Sequence, residues 1–169
     1  MQYTSSKANK LLKKLNEDYA TLVLKENDLK TFKAAVGENV ESVRPEYDYV
    51  SYRGKLEELE KQIRIVKHAI NIFNTTTIVE EFNMTIDELL VYIPELTSKK
   101  NKLQEMRLKA PKKRVQLEYG RSSNIIDYEY INYDLKLIEE DYNKVSDELA
   151  RAQLALDSVN NREVIEINI

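Results

Sequence analysis

Two groups of side chains are typed and spaced so that they can meet a ligand rather than water alone. Arg64, Lys67, Asn71 and Asn74 recur at intervals of three, four and three, which sets them on one flank of a helix. Asn is a poor helix former with directed donors and acceptors, so two of them in that stripe point to a cap, an interhelical hydrogen bond or a ligand contact. The second group is a basic segment in which Arg107, Lys109, Lys112, Lys113, Arg114 and Arg121 are set against one acid, Glu118, in a chain of net charge −3. Of the 11 tyrosines, Tyr47, Tyr49, Tyr119, Tyr128, Tyr130 and Tyr133 fall outside the helical seams described below. Cations beside aromatic faces suit a ligand that carries both a ring and oxyanions, as a nucleotide does. The expected donors are Arg44, Arg64, Lys67, Asn71, Asn74, Lys112, Lys113, Arg114 and Arg121, with Tyr47, Tyr49, Tyr128 and Tyr130 available for stacking. Using them jointly requires the segment near 114–130 to fold back over a helix or to arrive from another subunit. The competing reading is structural: a solvated bundle flank, and tyrosines that pack strands and interfaces.

Other chemistries are poorly provided for. The chain has no Gly-rich phosphate loop, no HExxH, no CxxC, no GxSxG and no EF-hand pattern. Cysteine is absent and His68 is the single histidine, which removes thiolate metal sites, disulfides and histidine clusters. A lone His without an orienting acid is expected at an exposed or core-edge position rather than in a catalytic triad. The acids Glu139-Glu140-Asp141 fall outside the seam of their helix, unlike the inward carboxylates of a helical di-metal centre. No catalytic residue, metal or cofactor is therefore expected. The negative net charge argues against a nucleic-acid polymer or a membrane surface as partner. Met1 to Lys10 lacks the apolar core of a signal peptide and no run suits a membrane span, so a cytoplasmic protein is expected. The richness in Asn, Ile, Lys and Tyr fits the AT-rich codons of a low-GC bacterium or its phage.

The elements that must position these residues are long helices. Ile131, Leu135, Ile138, Tyr142, Val145, Leu149, Ala152, Leu156 and Val159 advance by four and three without a miss, the repeat of a coiled-coil seam. Such a helix is about 42 Å long and needs long partners. Ala8, Leu12, Leu15, Tyr19, Leu22, Leu29 and Val36 keep the same spacing behind a cap at Ser5 or Ser6, with Glu26 as a charged seam position that fixes register and Gly37 as the stop. Tyr52, Leu56, Leu59, Ile63, Val66, Ile70 and Phe73 form a second helix that pairs antiparallel with the first. Thr85-Ile86-Asp87-Glu88 matches a capping box and opens a third, in which Pro94 predicts a kink near residue 90 and Pro111 marks the end. The expected fold is mainly all-α: one elongated domain, an antiparallel long-helix bundle with helices at about 5–36, 48–74, 86–109 and 129–160, a β-hairpin at about 114–130 and a tail strand at 163–169. An isolated hairpin is barely stable, so the tail, with Ile165, Ile167 and Ile169 on one face, is expected to join it.

From Asn71 onward the order of elements resembles a septicolysin-like family of uncharacterised bacterial and phage proteins. The resemblance rests on Asn71-x-x-Asn74 at a helix end, the capped third helix, the strand-rich interruption and Leu149 to Asn161 before a β-like tail. The sequence departs from it at Arg162, where an aromatic is expected, and at Tyr92-Ile93-Pro94, where relatives are arginine-rich. The resemblance implies a helical fold and no particular activity. Three seams that one short hairpin and a kinked helix cannot cover imply a homo-oligomer. The expected function is a non-catalytic binder of a small anionic, nucleotide-like ligand, acting by sequestration or sensing; the alternative is a structural or adaptor coiled coil that meets another protein.

Overall fold

A computed structural model describes residues 1–115 and 127–169. The chain divides into two compact units rather than the single expected domain: Met1–Ile78 with Asp157–Ile169, and the continuous segment Val79–Leu156. It is mainly helical, with small antiparallel strand pairs. Among the described residues no helix is long and apolar enough to cross a membrane.

The first unit is built on α1 (Ser5–Leu29) and α3 (Tyr49–Thr76), antiparallel, with a ribbon of β1 (Gln2–Thr4) and β6 (Val164–Glu166) against them. Thr4, not Ser5 or Ser6, caps α1: its hydroxyl accepts the Lys7 N–H at 3.4 Å. Ser5 is buried, and the Ser6 hydroxyl donates to Asn161 Oδ1 at 2.9 Å. The helix stops at Leu29 although the seam pattern runs on to Val36. A seam holds a helix only where a partner faces it, and α3 begins at Tyr49, roughly opposite the last turn of α1; Val36 is fully exposed. Gly37 takes a left-handed φ of 89°, inside a turn closed by Glu38 N–H to the Ala35 carbonyl, and so serves that turn and not the helix end. A short helix, α2 (Val40–Val43), follows, and Asp48 caps α3 by accepting from Val50 and Ser51 N–H. The core of this unit lies toward one end: Ala8 and Leu15 of α1, Val66, Ile70 and Phe73 of α3, Val159, and Ile165 and Ile167 of the tail.

The tail therefore does not extend the hairpin. It pairs with β1 in the register Gln2↔Glu166, Tyr3↔Ile165, Thr4↔Val164, extended by Ile167 N–H to the Met1 carbonyl at 2.9 Å. The alternation was legible and its partner was not, because Gln2-Tyr3-Thr4 is too short to show a period.

The second unit begins at the small ribbon of β2 (Ile78–Val79) and β3 (Met84–Thr85), whose turn places Asn83 at φ 49°, a left-handed position that Asn tolerates. α4 (Ile86–Arg107) opens on the expected capping box, with the Glu88 N–H donating to Thr85 Oγ1 at 3.1 Å and the Thr85 N–H donating to Glu88 Oε2 at 2.7 Å. The Thr85 N–H and then the Thr85 hydroxyl, both donating to that carboxylate, hold it below its ordinary value. Pro94 sits within α4 without ending it. The strands β4 (Lys112–Arg114) and β5 (Tyr128–Tyr130) pair as Lys112↔Tyr130, Lys113↔Glu129 and Arg114↔Tyr128; the connecting turn expected at Gly120 to Asn124 lies outside the described residues.

α5 (Leu135–Arg162) starts six residues later than expected, with Asp134 Oδ1 accepting the Lys136 N–H at 2.7 Å. Its seam holds as read: Leu149, Ala152 and Val159 are buried and the other seam residues from Leu135 onward are half-buried. α4 meets it through Tyr92, whose hydroxyl donates to Glu148 Oε1 at 2.6 Å, and through Arg107, which pairs with Glu139 at 3.0 Å and stacks 4.2 Å from the Tyr142 ring.

Candidate functional site

The expected ligand-binding residues fall into two groups on the first unit and one on the second. The first is the turn before α3. There Arg44 pairs with Glu41 at 2.8 Å and stacks on Phe32, and Arg53 lies over the Tyr49 ring. Tyr47 donates its hydroxyl to Glu26 Oε1 at 2.7 Å. Accepting that hydrogen bond, the Glu26 carboxylate pushes the phenol up to about 12. Tyr47 thus satisfies the one charged position in the α1 seam, and its hydroxyl is committed to structure.

The second group is the α3 stripe, which begins about 22 Å from Tyr49 along the helix axis at 1.5 Å per residue. Arg64, Lys67 and Asn71 line a groove of about 460 Å³ between α3 and α1, together with Asn16, Tyr19 and His68. Asn74, half-buried, is not part of its lining. The Tyr19 hydroxyl donates to Glu60 Oε1 at 3.1 Å, and that carboxylate raises the phenol above its ordinary value. The groove therefore carries an acid among its cations, which weakens it as an anion site. Tyr19 escaped the site reading because it keeps perfect seam spacing.

The third group is the ribbon at the end of α4, where sequence forces the geometry. Pro111 holds Ala110 out of helical conformation, so the chain leaves α4 extended and enters β4. Past the return strand, just before α5, the Tyr133 hydroxyl donates at 2.7 Å to the carbonyl of Met106, one of the acceptors that the end of a helix leaves without an intrahelical donor. These two constraints close a cavity of about 560 Å³ lined by Lys109, Lys113, Glu129, Tyr130, Asn132 and Tyr133 among others. A pocket of that size is in the range that small ligands fill. Two ammonium groups against one carboxylate leave it net positive, with Asn132 and the tyrosines as neutral polar neighbours. On the ribbon itself Lys112 places its ammonium 4.0 Å from the Tyr128 ring and 5.5 Å from that of Tyr130. Those aromatic faces, expected to stack a ligand ring, are thus occupied by a lysine of the same chain. Arg114 is exposed on the ribbon and Arg121 lies outside the described residues.

Of the expected set, then, the cavity brings together Lys113 and Tyr130. Lys109 and Tyr133, counted within the basic segment and among the non-seam tyrosines, join them, and Asn132 carried no sequence signal. Among the described residues no group of three His, Asp or Glu side chains is placed to hold a metal ion.

No family model matches the sequence. No curated protein matches it either. A solved structure of a functionally unknown conserved protein from Corynebacterium diphtheriae is similar, with a TM-score of 0.61 and 17% identity over 98% of this chain and 100% of that one. At that identity the likeness speaks for the fold alone.

Proposed function

We propose that the protein is a non-catalytic, self-associating binder of a small anionic ligand, nucleotide-like in its chemistry, held in the cavity between the end of α4 and the β4–β5 ribbon. The observation that carries this reading is the meeting of Lys109, Lys113, Asn132 and Tyr130 around one cavity of about 560 Å³. The ammonium groups supply charge-assisted donors to a phosphate or carboxylate, and Asn132 supplies directed polar atoms. With the faces of Tyr128 and Tyr130 facing Lys112, a ligand ring meets edges and apolar stems instead of a stacking platform. The reading is tested by thermal shift with a panel of nucleotides, cyclic dinucleotides and inorganic phosphate. A ligand at 100 times its dissociation constant stabilises by about 2.7 kcal/mol. Lys109→Ala and Lys113→Ala each abolish most of that shift while the unliganded melting temperature stays put. A panel without a single shift, or a shift that both variants retain, defeats the proposal.

A second reading, an adaptor hairpin that meets another protein, is favoured by one specific feature: over 22–29 of α1 and 49–59 of α3 no residue is buried, although both carry seam leucines.

A further inference from the structure

At the far end of the α1–α3 hairpin, over residues 22–29 and 49–59, the first unit buries no residue. Between the two helices runs a groove of about 670 Å³ floored by Leu22, Val50 and Leu59, with Thr21, Ser51 and Gly54 beside them. Val50 is 64% exposed. Glycine within a helix is destabilising by roughly 0.5–1 kcal/mol relative to alanine. Nothing among the described residues explains it at position 54: its φ is not positive, and an added Cβ would meet no described atom within 4 Å. A residue so unfavourable, in open space beside the floor of an apolar groove, is accounted for by the close approach of a backbone from outside.

The charges along the groove indicate whose backbone. Asp18 and Lys25 of α1 lie about 10 Å apart along the axis. α3 runs antiparallel, as the hydrogen bonds Tyr19 to Glu60 and Tyr47 to Glu26 require, so Glu58 falls toward the Asp18 end and Lys55 toward the Lys25 end. The groove thus has an acidic end and a basic end, balanced in number. Among the described residues none of the four has an ion-pair partner within its own chain. A two-fold rotation about an axis perpendicular to the helices lays the acidic end of one copy on the basic end of another and closes the apolar floors together. The groove is self-complementary in both charge and hydrophobicity, which is the requirement of an isologous interface.

We infer that this groove is the homodimer interface: α1 and α3 of two copies pack as an antiparallel four-helix bundle, with Asp18 and Glu58 facing Lys25 and Lys55 of the second copy and Gly54 at the closest approach. The inference rests on the self-association in the reading above and is independent of the ligand. The test mixes two full-length variants, Asp18→Lys/Glu58→Lys, whose groove is wholly basic, and Lys25→Glu/Lys55→Glu, whose groove is wholly acidic. By light scattering the wild type has at least twice the mass of one chain, each variant alone falls to the mass of one, and an equimolar mixture recovers the pair. Gly54→Arg also falls to one chain, with an unchanged or raised helical melting temperature. A wild type already monomeric overturns both this inference and the self-association. An oligomeric wild type whose charge variants keep its mass, or whose mixture stays monomeric, overturns this interface and leaves self-association standing.

Discussion

Leu149→Ala and Leu154→Ala form a matched pair on one helix. Both lie within α5 and both exchange good helix formers, so helix propensity cancels and burial alone separates them. Leu149 is 8% exposed and Leu154 69%. Full burial puts a Leu→Ala loss at about 2–5 kcal/mol, made of transfer free energy plus the cavity left behind. Because Leu149 keeps a small exposed edge, water and neighbours can partly fill the gap, so its loss belongs in the lower half of that range, at about 2–3 kcal/mol. Leu154 should cost no more than about 0.5 kcal/mol. The assay is urea denaturation followed by far-ultraviolet circular dichroism, with thermal melts alongside, where each kcal/mol moves the midpoint of a unit this size by about 4–8 °C. A Leu149→Ala loss below half a kilocalorie, or a Leu154→Ala loss equal to it, would refute the assignment of the seam.

The phenol of Tyr47, raised to about 12 by its hydrogen bond to Glu26, gives a stability contribution that is complete below the ordinary tyrosine value of 10.0 and disappears as pH climbs through about 12. Melts across that alkaline window should therefore fall less steeply for Tyr47→Phe than for wild type, and parallel slopes would speak against the bond. Deleting residues 164–169 should strip hydrogen-exchange protection from the amide of Tyr3, which faces Ile165 in a hydrogen-bonded pair, while the amide of Val115, bonded to the Asp127 carbonyl, keeps its own; the opposite pattern would return the tail to the hairpin. Thr85→Ala removes the cap of α4 and should cost about 0.5–2 kcal/mol in chemical denaturation. It should also lessen the acid-side loss of stability that the lowered Glu88 carboxyl produces as pH falls, and an unchanged acid limb would count against the capping box.

What the sequence disclosed was governed by local period. The seam of α5 and the Thr85–Glu88 capping box depend on residues a few positions apart, and both are found where the spacing placed them. Helix ends were less legible. The pattern through Val36 continues past the point where α3 can answer it, since a repeat reports which face is apolar and not how far a partner extends. Strand pairing between Gln2–Thr4 and Val164–Glu166 joins residues at opposite ends of the sequence, which no period encodes. The candidate site shows the same division: the basic and tyrosine-rich segment was recognisable as a composition, but Arg44, Tyr47 and Tyr49 are drawn into ion pairs, stacking and a seam hydrogen bond near the start of α3. Proximity of Lys109, Lys113 and Tyr133 follows from Pro111 and from a hydroxyl reaching a helix-end carbonyl, contacts that only folded geometry reveals.

The pairing of β1 with β6 also sets an order on biosynthesis. Val79–Leu156 is continuous, so every residue of that unit is translated before Ile165. The other unit is interrupted by it: Tyr3 and its strand partner Ile165 lie on either side of the nested segment and can pair only once all of that segment has been translated. During that interval Ala8, Val66, Ile70 and Phe73 lack the apolar lid that Ile165 and Ile167 complete. Closing so long a loop is entropically costly and slow relative to local helix formation. The α1–α3 hairpin can therefore form from local contacts before β1 meets β6, and until they meet its apolar residues are open to a chaperone or a second copy.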